Sequence, residues 1–290
     1  MQQAEPSSPL EFGLMSGKPA RAKKRHSPAE WVLIAVVVIY ACALLVGPLA
    51  AIFWGALEKG AGVFIAEVTS PNALNALKLT LILGASATAI NALFGLVVAW
   101  VLVRDNFRGR QLVNGLVDLP FAVSPVIAGL MLILLFGRGG WFTSMTDAAG
   151  IKMVFALPGM LVATTFVSIP FVIREVMPVL AQVGTQQESA AYTMGASAWQ
   201  TFWHVTLPSI RWGLFYGISL TLARTLGEFG AVLVVSGGVS GLTETSTLFI
   251  FRSLDDRNYV GAYAMAMVLA LISFSILMLM EFIKKRTQDS

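Results

Sequence analysis

The chain has 290 residues, 56% hydrophobic and 12% charged, with a mean hydropathy of +0.75. Soluble domains carry about 25% charged residues, so the composition excludes a water-soluble globule and describes a polytopic membrane protein, with lipid as its surroundings. The net charge of +4 is what lysine and arginine left on cytoplasmic loops produce, and it argues for no nucleic-acid partner.

Residues 1–30 are polar, with a basic cluster at Arg21, Lys23, Lys24 and Arg25, and read as a disordered cytoplasmic tail. The apolar run 31–57 is too long for a secretory signal and reads as a first span. It holds Cys42, the single cysteine, which matches no metal spacing and has no disulfide partner in the chain. A second run, 73–103, exceeds the roughly 30 Å hydrocarbon core at about 1.5 Å per residue, so it tilts or protrudes. The third span covers 112–136, the fourth 157–183, the fifth 212–235 and the sixth 259–283. Residues 284–290 form a short second tail. The chain thus reads as an all-α polytopic membrane protein whose transmembrane body, 31–283, has six spans. Thirteen of the 20 Lys/Arg fall on the side of both termini and five on the other, while Lys78 and Arg224 lie within spans. The positive-inside bias places both termini and the connection 184–211 in the cytoplasm.

Ionisable groups inside a bilayer are expensive and mark candidate sites. Asp118, near the inner end of span three, is placed to pair with Arg174, near the inner end of span four, as structural glue or as part of a transport route. Arg224 lies near the midplane of span five, with Glu228 one turn further on the same face. That pair is either an internal bridge or a polar face that attracts an anion. Between Pro120 and Pro125, Ser124 sits in a segment that must break span three. Freed carbonyls at that depth are tolerated only where protein or a water-filled cavity satisfies them. A simple kink and a discontinuous helix at a binding site both fit. The spacing predicts neither a P-loop nor a His/Cys/Asp cluster, so no catalytic residue, cofactor or metal site is expected on this chain.

The 184–211 connection is the most patterned stretch. A short helix runs to Gly195, which breaks it, and a second is expected to stop before Pro208. Trp199, Phe202 and Trp203 form a stripe on the second helix. An interfacial helix and a docking knob for a partner protein both fit this stripe.

Ala190-Ala191, Gly195, Val205 and Leu207-Pro208 fall at the spacings of the cytoplasmic EAA loop of permease subunits of bacterial ABC importers, which this stretch resembles. Ser189 stands where that family has glutamate, and Glu188 lies one residue earlier. Either Ser189 caps a helix in its place or Glu188 reaches the same spot. Three further stretches resemble the sulfate/thiosulfate permeases. They are Asp118-Leu119-Pro120-Phe121-Ala122-Val123-Ser124-Pro125-Val126-Ile127-Ala128-Gly129, Ile169-Pro170-Phe171-Val172-Ile173-Arg174-Glu175 and Leu226-Gly227-Glu228-Phe229-Gly230-Ala231. The first is closer to the W-type than the T-type subunit of that pair. The resemblance covers roughly residues 70–285.

It implies a type I ABC importer permease in the bacterial inner membrane, forming half of a translocation path with a T-type homologue. A periplasmic sulfate-binding protein would deliver the anion. Two cytoplasmic ATPase subunits would bind ATP-Mg and dock on Glu188, Ser189, Ala190, Ala191, Gly195, Trp199, Phe202, Val205, Leu207 and Pro208. Molybdate or tungstate is the alternative substrate. A stand-alone ion-coupled anion carrier and a non-transporting assembly factor are the alternatives from other classes.

Overall fold

A computed structural model describes residues 28–288. The expected tails lie outside the described residues up to residue 27 and from 289. The chain divides into two compact units after Leu49. The first, where described, is the greater part of α1 (Pro28–Leu57). This helix continues through Gly47 and Pro48 and, with a mean hydropathy of 2.8, is apolar enough to span a membrane.

The second unit opens with α2 (Ala61–Val68) and α3 (Pro71–Arg104), the latter started by Pro71 in its first turn and by Ser70 Oγ, which accepts from Ala73 N–H at 3.3 Å. There follow α4 (Arg110–Ala122), α5 (Pro125–Phe136), α6 (Thr143–Ala148) and α7 (Leu157–Val183). Next come α8 (Gln186–Thr193), α9 (Ala198–Thr201), a π-helical turn (Phe202–Thr206) and α10 (Leu207–Leu226). The chain finishes with α11 (Gly230–Ser236), α12 (Ser246–Asp255) and α13 (Tyr259–Gln288). Every described element is helical. Four helices, α1, α3, α7 and α13, are long and apolar enough to cross a membrane, and there are six spans when the bent pairs α4–α5 and α10–α11 each count as one.

The centre of the second unit is α3 against α7 and α10. Ala99, Leu102, Val172, Ile173, Val176, Leu180 and Ile210 are buried there together. Small residues set the spacing. A Cβ on Gly95 would lie 2.9 Å from Val172 Cβ, and one on Gly217 would lie 3.2 Å from Val172 Cα. The Gly213/Gly217 pair therefore lets α10 approach α7 closely, as small residues do in membrane helices.

Two expectations are corrected. Span five is not one straight helix over 212–235. It bends by 56° at 227–229, because Gly227 and Gly230 weaken the helix and the Glu228 carboxylate accepts from Ala231 N–H at 3.1 Å, replacing an intrahelical acceptor. The second helix of the 184–211 connection does not stop before Pro208 but runs from Ala198 into α10. A proline ring clashes with the carbonyl four residues back. Here the helix widens into the π turn just before it, and Leu207 N–H bonds the Phe202 carbonyl. The 236–258 connection holds α12 and ties back to α3, with Ser246 N–H donating to Thr80 Oγ1 at 2.8 Å.

Gly95→Ala is expected to wedge α3 from α7 and lower stability by about 1–3 kcal/mol. Gly115→Ala, inside α4 with nothing within 4 Å of the new Cβ, is expected to raise stability by about 0.5–1 kcal/mol. Thermal unfolding of the purified protein in detergent measures both.

Candidate translocation pocket and coupling loop

The two helix breaks face each other. Pro120 and Pro125 bracket the first, and α4 and α5 diverge there by 111°, far more than a kink. Val123 N–H bonds the Leu119 carbonyl at 3.0 Å to end α4, and Pro125, which has no N–H to leave unpaired, opens α5. Glycine brings the second break against the first. A Cβ on Gly230 would lie 3.1 Å from Pro125 Cβ, and one on Gly129 would lie 2.7 Å from the Ala231 carbonyl oxygen.

Beside the breaks lies a hollow of about 460 Å³ lined by Pro120, Phe121, Ser124, Pro125, Phe171 and Arg224. Arg224 Nη1 pairs with Glu228 Oε2 at 2.8 Å, with the arginine side chain 33% exposed and the glutamate 4%. The pair expected from the sequence is present, but Glu228 lies in the break rather than on a continuous helix face. It is a junction. Its second oxygen holds Ala231 N–H, and its carbonyl accepts from Thr247 Oγ1 at 2.8 Å. Ser124, Pro125, Arg224 and Glu228 therefore come together at one place.

Chemically, the guanidinium has more donors than Glu228 uses, and planar donors suit an oxyanion. Glu228 neutralises it, so the hollow holds a dipole rather than a net positive charge. Such a site touches an anion without trapping it, which conduction requires.

Asp118 and Arg174 form a separate cluster. Arg174 Nε donates to Asp118 Oδ1 at 2.8 Å and Nη2 to Oδ2 at 2.5 Å, and Asn114 supplies its side-chain oxygen to Nη1 at 3.0 Å. The fork braces α4 against α7. The Asp118 side chain is 48% exposed, so screening keeps its energetic worth small. It lies outside the lining of the hollow.

Two pairs escaped the sequence reading, Arg104–Glu188 and Glu244–Arg252. Glu244 is buried and receives Arg252 Nε at 2.5 Å and Nη2 at 3.1 Å. Hydrogen bonding to Glu244 holds the Arg252 guanidinium above its ordinary range against the opposing effect of burial, and the Glu244 and Asp256 charges add to it. Glu244 precedes α12, off any helical period, so no spacing signalled it.

The 184–211 connection divides into two faces. On one, a groove of about 580 Å³ is lined by residues including Gln187, Ala190, Met194, Val205, Pro208 and Arg211. Gly195 turns the chain in the left-handed region at φ 86°, and Ser197 with Gln200 forms a capping box that starts α9. On the other face Phe202 packs edge-on against Trp100 of α3 at 5.4 Å and Trp199 stacks on Phe202 at 6.2 Å. The aromatic stripe thus leans on α3 while Ala190, Val205 and Pro208 line the groove; Leu207 is half-buried between them. Ser189 is exposed in the middle of α8, four residues from the Thr185 carbonyl its N–H bonds, so it occupies no cap position. Glu188, 7% exposed, points inward to Arg104 and Thr206 at 3.1 and 2.9 Å.

Residues 91–289 match the family described as binding-protein-dependent transport system inner membrane component. The chain belongs to this family. It is 46% identical over 258 residues, 89% of this chain and 94% of the relative, to the sulfate transport system permease protein CysW of Synechocystis sp.. Identity to the sulfate transport system permease protein CysT of Escherichia coli K12 is 36% over 92% of this chain and 96% of that one. The chain is thus more similar to the CysW-type than to the CysT-type relative. The fold matches a solved bacterial ABC transporter involved in the import of the acidic polysaccharide alginate, with TM-score 0.75 and 19% identity over 89% of this chain and 96% of that chain.

Arg224→Gln strips Glu228 of its cation and is expected to destabilise the permease by about 1–3 kcal/mol, toward the lower end because Arg224 is partly exposed. Adding Glu228→Gln is expected to recover part of that loss, since no buried charge is left unpaired. Thermal melts of the two variants check the order.

Proposed function

We propose that this permease is a transmembrane subunit of an ATP-driven importer of sulfate, with thiosulfate as a second oxyanion. The observation that carries the reading is the pair of opposed helix breaks with Arg224 opening onto the hollow beside them. Discontinuous helices at a shared site are how membrane transporters present polar groups at depth. The kinship described above supplies the substrate class.

In this reading both termini and the 184–211 connection are cytoplasmic, in accord with the positive-inside bias. Two ATPase subunits bind ATP-Mg and seat on the groove over Ala190, Met194, Val205 and Pro208. The permease itself hydrolyses nothing and needs no cofactor. A T-type homologue completes the translocation path, and a periplasmic sulfate-binding protein delivers the anion to the outer face.

The helix geometry supplies a route for the ATPase stroke. From Ala198 the loop runs unbroken through the π turn into α10. Arg224 stands 16 residues beyond Pro208, about 24 Å along that helix. A displacement of the groove therefore reaches the hollow through one continuous element.

Deleting residues 189–208 is expected to leave a membrane-inserted permease that no longer retains an ATPase in co-purification and no longer takes up sulfate. Uptake surviving the deletion would overturn the importer reading in favour of an ion-coupled carrier. Molybdate, but not sulfate, stimulating uptake by the intact complex would change the substrate.

A further inference from the structure

We infer that Glu188 and Arg104 are positioning residues that lock the coupling loop to α3, so that the ATPase stroke moves both together. The inference rests on the importer reading above. The geometry is a single node. Glu188 Oε1 accepts from Arg104 Nη2 at 3.1 Å and from Thr206 Oγ1 at 2.9 Å, and the same Nη2 donates to the Gly184 carbonyl at 2.7 Å. Three elements meet there: the foot of α3, the first turn of α8 and the end of the π turn. The Glu188 and Arg104 side chains are 9% and 10% exposed, and Thr206 is fully buried.

This placement leaves Glu188 facing away from the groove, whose lining is apolar apart from Gln187, His204, Ser209 and Arg211. The acidic residue nearest the EAA glutamate position is therefore used inside the permease. A buried ion pair is a weak source of stability compared with apolar packing, whereas it fixes relative geometry firmly. The covalent approach to α8 is only Gly184 and Thr185, with Gly184 at φ 65°, a conformation open to glycine. Besides the node, α8 is held by Ser209 Oγ, which donates to Gln187 Oε1 at 3.2 Å on the exposed side.

The far end of α3 shows where the stroke goes. Thr80 lies 24 residues before Arg104, about 36 Å away along the helix. There Ser246 N–H and Oγ bond Thr80 Oγ1 at 2.8 and 3.1 Å. The next residue, Thr247, holds the Glu228 carbonyl at 2.8 Å, and Glu228 holds Arg224. A rigid helix thus connects the loop that meets the ATPase to the residues that set the hollow. This route is parallel to α10, and the node joins the two routes at the loop end, where they meet α8.

The test uses the full complex, permease with ATPase, partner permease and binding protein, in proteoliposomes, with ATP hydrolysis and labelled sulfate uptake followed together. Glu188→Gln is expected to keep the ATPase bound while sulfate moved per ATP falls by about fivefold or more. Glu188→Gln with Arg104→Gln is expected to fall no further, since both changes break one node. Thr206→Val keeps both charges, removes one hydrogen bond and is expected to lower the ratio by about two- to tenfold. It decides the matter if Glu188→Gln yields no folded complex. An unchanged ratio in Thr206→Val and Glu188→Gln overturns the inference. So does a fall of hydrolysis and uptake in equal proportion with the amount of complex, which is what a purely structural role produces. A wild-type complex that neither binds an ATPase nor imports sulfate overturns the importer reading and not the node.

Discussion

A lipid bilayer offers no water to an unpaired peptide group, and the rest of this structure follows from that constraint. A chain that breaks two of its spans must satisfy the freed backbone from within. The two breaks lie close against each other, Pro125 against Gly230 and Gly129 against Ala231. Side chains complete the pairing, with Glu228 holding Ala231 N–H and Thr247 holding the Glu228 carbonyl. Beside the breaks, where the two spans bend by 111° and 56°, lies a mainly apolar hollow to which Ser124 and Arg224 bring the polar groups. The α3–α7–α10 centre is built for the opposite purpose, with glycine at positions 95, 213 and 217 drawing the helices together.

The ion pairs divide by depth and duty. Asp118–Arg174 is a bidentate brace open to solvent on one side. Arg224–Glu228 joins a buried carboxylate to a guanidinium that reaches the hollow. Arg104–Glu188 is enclosed on both sides and lies where the 184–211 connection meets α3. Their strength as glue is modest in each case, by screening for the first and by desolvation for the others. What each fixes is the relative position of two elements, a property that matters to a protein that alternates between states.

Much of this was legible in the sequence because the signals are local or periodic. Span four was expected over 157–183, the bounds of α7. The break near Ser124 follows from two prolines, and Asp118 with Arg174 follows from matched depth on neighbouring spans. The resemblance to the sulfate permeases supplied the family. Less local features were hidden. The break at Gly227 was invisible because Arg224 and Glu228 have the spacing of a helical pair whether or not the helix continues. Pro208 reads as a stop, but a π turn absorbs it. Arg104–Glu188 joins residues 84 apart in the chain, and Glu244–Arg252 starts from an irregular segment, so neither has a period. The aromatic stripe at Trp199, Phe202 and Trp203 had two readings in the sequence. Contact with Trp100 draws it toward α3 and leaves the groove to small and aliphatic residues.

The picture is of a helical bundle in which the 184–211 connection is joined to one hollow beside the helix breaks by two long helices. Its central claim is that sulfate passes the hollow where Arg224 is exposed. The direct measurement is ATP-dependent uptake of labelled sulfate into proteoliposomes holding the complete complex, wild type against Arg224→Gln, normalised to intact complex. The account predicts a fall of about tenfold or more, from loss of a charge-assisted hydrogen bond along the path, with the ATPase still bound. Uptake equal to wild type would contradict it.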